Sequence, residues 1–143
     1  MTIATLHTVV GIITRKDHVL LFQRPPQSHA YGLWCFPGGK VEDAESIEQA
    51  LLREMHEEVG IIVTEKRQIM HLSGWQNNKT IHLYVYHIQS YDDSFTNPES
   101  HIWTWGHYDV LEHYPTFKIN LRVVEYLKKT KLKDTETLDV IKI

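Results

Sequence analysis

The sequence predicts an α/β domain in which helices pack on a mixed β-sheet. Strand-like runs rich in β-branched and aromatic residues open the chain and fill its middle. One amphipathic helix with clear start and stop signals lies among them, and a second helix closes the pattern.

Two apolar runs, "TLHTVVGIIT" (5–14) and "VLLFQR" (19–24), flank the polar "RKDH" and read as two strands around a turn. Both are apolar on two faces, as central strands are. "PPQSHAYG" is an ordered surface loop, and "LWCF" a short strand that stops at "PGG". Ser46 followed by Gln49 is a capping-box signature, after which Ile47, Leu51, Met55 and Val59 recur at helical spacing up to Gly60. "IIVTEKRQIMHLSGWQ" and "IHLYVYHIQSY" (81–91) are strands separated by the turn-prone "QNNK". "DDSFTNPES" is a loop, "HIWTWG" a strand and "YDVLEHY" a short helical turn. "NLRVVEYLKKTKL" carries Leu121, Val124 and Leu127 as the packing face of a second helix, and a charged tail follows from about residue 130.

No internal repeat or domain boundary interrupts the chain, so residues 1–143 are expected to form one domain. That length buries roughly two thirds of the unfolded chain's surface, enough for a core without staples. A net charge of -3 argues against a broad nucleic-acid or membrane surface and leaves free nucleotides as partners. Cys35 is the single cysteine, which excludes an intrachain disulfide. The N-terminal run is too short and interrupted for a membrane span and lacks the features of a secretion signal, so a cytoplasmic location is expected. Nothing in the sequence reads out an oligomeric state.

The chemistry concentrates in "LLREMHEEVG" (51–60), where Glu54, Glu57 and Glu58 occupy the last turns of the first helix. Carboxylates there oppose the helix dipole and repel one another at i,i+3 and i,i+4. On a regular helical wheel they converge on one edge beside Met55. Acidic clusters are commonly solvated faces, but this arrangement becomes favourable once hard divalent cations bind the oxygens, and magnesium that bridges to phosphate suits it. "PGGK" adds two glycines where a backbone approaches closely, with the Gly39 carbonyl as a further oxygen ligand.

Read from Gly39, the chain has Glu45 after five intervening residues, then seven, then Arg53, Glu54, Met55, His56, Glu57, Glu58, Val59, Gly60 and Ile61. This resembles the Nudix box at every defined position over residues 39–61. "LLFQRPPQSHAYGLWCFPGGKVE" resembles the approach to that box in MutT and CTP pyrophosphohydrolases, and "YPTFKINLRVVEYL" follows the same layout. One departure is Ala44, where many relatives have glycine before the first glutamate. A positive φ at that position would strain it mildly.

The resemblance implies an α/β/α sandwich with the mixed sheet between helices, and hydrolysis of a nucleoside diphosphate linked to another group. It implies that Gly39, Glu54, Glu57 and Glu58, with Glu99 from the later loop, hold Mg2+ or Mn2+. Glu45 and Arg53 pair to fix loop against helix, and Glu54 or Glu99 takes the proton of the attacking water. Arg24 and His29 fall where substrate phosphates are met and Asn120 where a base edge is read, Lys40 is a further substrate-binding candidate, and Phe36 either lines the base pocket or belongs to the core. Lys118 is the alternative to Asn120 by a shifted alignment, and an N-cap is the plainer role for Asn120. Trp34, Trp103 and Trp105 are assigned to packing, Cys35 to the buried core, and the other histidines to structural or exposed positions. The substrate expected is a nucleoside triphosphate, split to monophosphate and pyrophosphate, with oxidised dNTPs leading and CTP or dCTP as the alternative. A non-catalytic nucleotide-binding module usually loses box glutamates, and a calcium site has different loop spacing.

Overall fold

The structure is a computed structural model that describes residues 4–28, 31–76, 78–92 and 102–138. Its strands are β1 (Ala4–Ile12), β2 (Thr14–Arg15), β3 (His18–Gln23), β4 (Trp34–Cys35), β5 (Gly38–Lys40), β6 (Ile62–Gln76), β7 (Lys79–Asp92), β8 (Ile102–His107) and β9 (Glu136–Leu138). Helix α1 spans Ile47–Glu54 and α2 spans Asn120–Thr130. A 3-10 segment covers Tyr108–His113.

One sheet is mixed: β1 pairs β7 in parallel, while β5 and β6 add antiparallel neighbours in the order β5-β1-β7-β6, and β9 lies parallel to β7. The other sheet is antiparallel, with β2, β4 and β8 all built on β3. The sequence reading foresaw the mixed sheet but not this second one. The chain leaves the first sheet at Ile13 and turns back through Lys16 and Asp17, both at positive φ (47° and 62°), the conformation of a tight two-residue hairpin.

Two-sided burial of the central strands follows from their sequence. Along β1 and just beyond it, Val9 and Ile13 join Leu51 of α1 and Met55 just after it in one core, while Val10 and Ile12 join α2 residues Val123, Val124 and Leu127 in another. Each such buried side chain stabilises the layer by roughly 1.5–3 kcal/mol. The expected face of α2 is corrected: Leu121 is 48% exposed, and the buried stripe is Asn120, Val123, Val124 and Leu127. That stripe follows i, i+3, i+4, i+7 spacing, whereas a run of threes drifts around the helix.

Helix α1 begins as expected, with Ser46 Oγ accepting from the Gln49 N–H at 3.0 Å and the Gln49 side chain accepting from the Ser46 N–H at 2.8 Å. It does not continue regularly to Gly60. Met55–Val59 form a π-helical turn in which the Met55 carbonyl accepts the Gly60 N–H at 3.1 Å, and Gly60 closes it at φ 79°. The charged tail is not loose over its described part: Thr135 exchanges backbone and side-chain hydrogen bonds with Thr14, and its hydroxyl donates to the Ile88 carbonyl at 2.6 Å. No helix among the described residues is long and apolar enough to cross a membrane.

Candidate active site

The glycine loop and the acidic helix meet because "PGGK" is itself a strand. The sequence reading ended a strand before it, but Gly38–Lys40 pair antiparallel with Thr8–Val10, which fixes the loop as an edge strand of the mixed sheet. A Cβ at Gly38 would land on the Val9 carbonyl and 2.7 Å from Val10 Cα, so only glycine permits this approach. Gly39 abuts the Glu54 carboxylate.

The π-helical turn redistributes the three glutamates that a regular wheel would have left side by side. Glu58 turns inward, is 8% exposed and accepts the Gly38 N–H at 3.4 Å. Glu54 and Glu57 both reach Arg53 Nη1, at 2.8 and 3.3 Å. The rest of the Arg53 fork holds Glu45, through Nε at 2.7 Å and Nη2 at 2.9 Å, and the Lys40 carbonyl at 3.0 Å. Arg53 thus ties the loop, Glu45 and the acidic turn together. Its hydrogen bonds, with the Glu42 N–H at 3.0 Å from the carboxylate, lower the Glu45 pKa to about 2. The Arg53 guanidinium is held even more firmly in its charged form, chiefly by Glu45.

All these donors are oxygens, and they converge on the Gly38–Lys40 loop, the chemistry a hard divalent cation requires. Among the described residues no three carboxylates, imidazoles or thiols already stand as a closed ion cluster.

Beside the loop lies a cavity of about 250 Å3. It brings together Arg24, Phe36, Gly39, Lys40 and Asn120, five residues singled out in the sequence. Arg24 Nε is buried without a hydrogen-bond partner among the described residues, an unsatisfied cationic donor at the cavity wall. Phe36 is 4% exposed and belongs to the core as well as to the wall. Asn120 is 6% exposed, whereas Lys118 is exposed and outside the lining. Nor is Asn120 an N-cap: Ile119 holds that position without a side-chain bond, and Asn120 Nδ2 donates instead to Thr116 Oγ1 at 3.0 Å. Glu99 and His29 lie outside the described residues.

Cys35 was expected in the core but is half-buried and lines the same cavity. Burial, with Glu58 adding and Arg24 opposing, pushes its thiol up to about 11. Sequence reasoning also missed Phe117 and Ile119, and the Leu6, Thr8, Val10 face of β1. The alternation along β1 was the available signal for that face. Three histidines scattered in sequence meet on the opposite face of the sheet, where His71 and His82 ring nitrogens lie 3.0 Å apart and His7 stacks on His82. A larger cavity of about 410 Å3 lies under the C-terminal segment. Its Arg67, Lys131 and Lys133 are balanced by Glu65, Asp134 and Glu136, and it contains no box residue, so the smaller cavity is the better candidate site.

Residues 5–127 match the NUDIX domain family. The chain is 34% identical over 120 residues to the CTP pyrophosphohydrolase of Escherichia coli (strain K12), covering 84% of this chain and 89% of that protein. It is 56% identical over 61 residues to the 8-oxo-dGTP diphosphatase of Proteus vulgaris, covering 42% of this chain and 54% of the relative. A solved structure from work on MutT of Aliivibrio salmonicida and Vibrio cholerae superposes with a TM-score of 0.75 at 30% identity, over 87% of this chain and 98% of the other. With the box intact and the fold shared over nearly its whole length, this chain belongs to the Nudix hydrolase family.

Proposed function

We propose that the protein is a magnesium-dependent nucleoside triphosphate pyrophosphohydrolase, acting on oxidised or modified deoxynucleotides such as 8-oxo-dGTP. The observation that carries this reading is the shared cavity: the Gly38–Lys40 loop and Arg24 wall it along with Asn120 and Phe36, so a single nucleotide can meet phosphate-binding and base-reading groups together. The substrate is a free nucleotide in the cytoplasm rather than a nucleic-acid polymer, a reading supported by the net charge of -3.

Nudix hydrolases generally use a divalent metal. Here Glu54, Glu57, Glu58 and the Gly39 carbonyl would hold Mg2+, with Mn2+ able to replace it. The ion, when bound, screens phosphate charge and lowers the pKa of the attacking water. Arg24, which lines the same cavity, meets a phosphate with its guanidinium, and the exposed Lys40 adds a second positive charge. Arg53 holds Glu54 by Oε1, which leaves Oε2 to take the proton of water or to bind the ion. Glu99 is the other candidate base. Water oxygen bonds to phosphorus, the anhydride bond breaks, and monophosphate and pyrophosphate leave. Asn120 offers both an acceptor and a donor to the base, which suits an edge that pairs an N–H with a carbonyl.

Pyrophosphate release from 8-oxo-dGTP, dGTP, CTP and dCTP with magnesium tests the reading. The highest kcat/KM is expected for the oxidised nucleotide. Absence of pyrophosphate from every nucleotide, with the protein folded, would overturn it. A preference for CTP or dCTP would select the second reading, which the E. coli relative's name and its coverage of 84% of this chain favour.

A further inference from the structure

Thr116 stands between the backbone of β4 and the Asn120 side chain. Its Oγ1 is 2.6 Å from the Trp34 carbonyl oxygen and 3.0 Å from Asn120 Nδ2. A carbonyl only accepts, so the single hydroxyl hydrogen goes to Trp34. What Thr116 presents to Asn120 is therefore a lone pair, and only the NH2 side of the amide complements it. A flipped amide would set Oδ1 against Thr116 Oγ1 with no proton between them, at a buried site where an unmet acceptor is disfavoured by about tenfold or more. The support is itself anchored: the Trp34 N–H donates to the Pro115 carbonyl at 2.7 Å, and Trp34 pairs with Gln23 in the second sheet.

We infer that Thr116 is a positioning residue that locks the orientation of the Asn120 amide, so that the cavity is offered Oδ1 as acceptor and one Nδ2 hydrogen as donor in a fixed order. The inference rests on Asn120 reading the base. A free amide can flip to satisfy either order of donor and acceptor along a base edge, whereas a locked one accepts a single order. Bases come in pairs that reverse that order. Oxidised guanine places an N–H beside a carbonyl where adenine places a ring nitrogen beside an amino group, and cytosine and uracil reverse each other likewise. The lock thus supplies discrimination within whichever pair the enzyme uses.

The test measures kcat/KM for 8-oxo-dGTP against dATP, and for CTP against UTP, in wild type, Thr116→Val, Thr116→Ser and Asn120→Ala. Thr116→Val is expected to cut the preference within the favoured pair about tenfold, mainly through KM, and Thr116→Ser to restore it. Asn120→Ala removes the preference altogether. An unchanged preference in Thr116→Val beside a lost one in Asn120→Ala overturns the lock and spares the reading of Asn120. No loss in either variant overturns both. Should Thr116→Val not fold, Thr116→Ala serves, and wild type carries its own check: one Asn120 side-chain N–H must be protected from solvent exchange by NMR. Two equally exchanging protons there would overturn the inference without any variant.

Discussion

Gly39 lies so close to Glu54 that one added methyl group would overlap the carboxylate: a Cβ on Gly39 would meet Oε1 and stand 2.8 Å from Oε2. The neighbouring Gly38 would instead drive a Cβ into the backbone of β1. The two glycines should therefore fail differently. In Gly39→Ala the clash falls on the end of a flexible side chain, so the fold survives while the displaced carboxylate costs about 100-fold in kcat. In Gly38→Ala the clash has no flexible partner, and stability drops by about 3 kcal/mol. Steady-state kinetics and chemical denaturation on both variants check this, and a fully active Gly39→Ala would contradict it.

Glu45 gives a pH dependence with a definite sign. Its folded pKa of about 2, set first by the Arg53 hydrogen bond, lies below the ordinary glutamate value of about 4.3. The unfolded chain takes up the proton first as pH falls, so the stabilisation is complete above pH ~4.3 and is lost toward pH ~2. Glu45→Gln should flatten that part of the stability curve in denaturation between pH 5 and 2. An identical acid limb in the variant would count against the pairing.

Divalent cations should stabilise the fold. Arg53 already offsets part of the repulsion by binding both Glu54 and Glu57, while Glu58 has the Gly38 N–H. The remaining gain comes from mass action, about 2.7 kcal/mol at one hundred times Kd. Tm should therefore rise by several degrees with saturating magnesium, and by less in Glu57→Gln. A Tm unmoved by magnesium and manganese would rule this out.

Ala44 holds φ at 62°, the strained conformation its sequence position suggested. Relief of the left-handed cost of roughly 1–2 kcal/mol is partly cancelled by the greater freedom of glycine when unfolded, roughly 0.4–1 kcal/mol. Ala44→Gly should gain about 0.5 kcal/mol without altering turnover. Urea denaturation checks it, and a destabilised variant would mean that the alanine methyl contributes packing that outweighs the strain.

Local signals carried much of this protein. The Ser46–Gln49 capping box and the Gly60 stop bound the first helical segment because both depend on residues within one turn of each other. The long hairpin of β6 and β7 was legible from its apolar runs and the "QNNK" between them, where Asn78 adopts φ 59°. Leu121 misled because a spacing of three looks helical over two turns yet wanders off the buried stripe. The strands of the second sheet and its β2–β3 turn were legible, but not their separate pairing, since β3 finds β8 across some eighty intervening residues and nothing local encodes that contact.

The Nudix box, and with it the family, was determined by sequence alone, because its residues are close enough along the chain for spacing to stand in for geometry. Tertiary structure decided the rest. It turned Glu58 inward through a π-helical turn, made the glycine loop a strand, and set Arg24, Cys35, Phe36 and Asn120 around one cavity. Those placements depend on contacts between distant segments, and the Thr116 hydroxyl that accepts from Asn120 donates in turn to a carbonyl 82 positions away, at Trp34. A cavity assembled from distant parts of a chain has no local spacing by which a sequence can announce it.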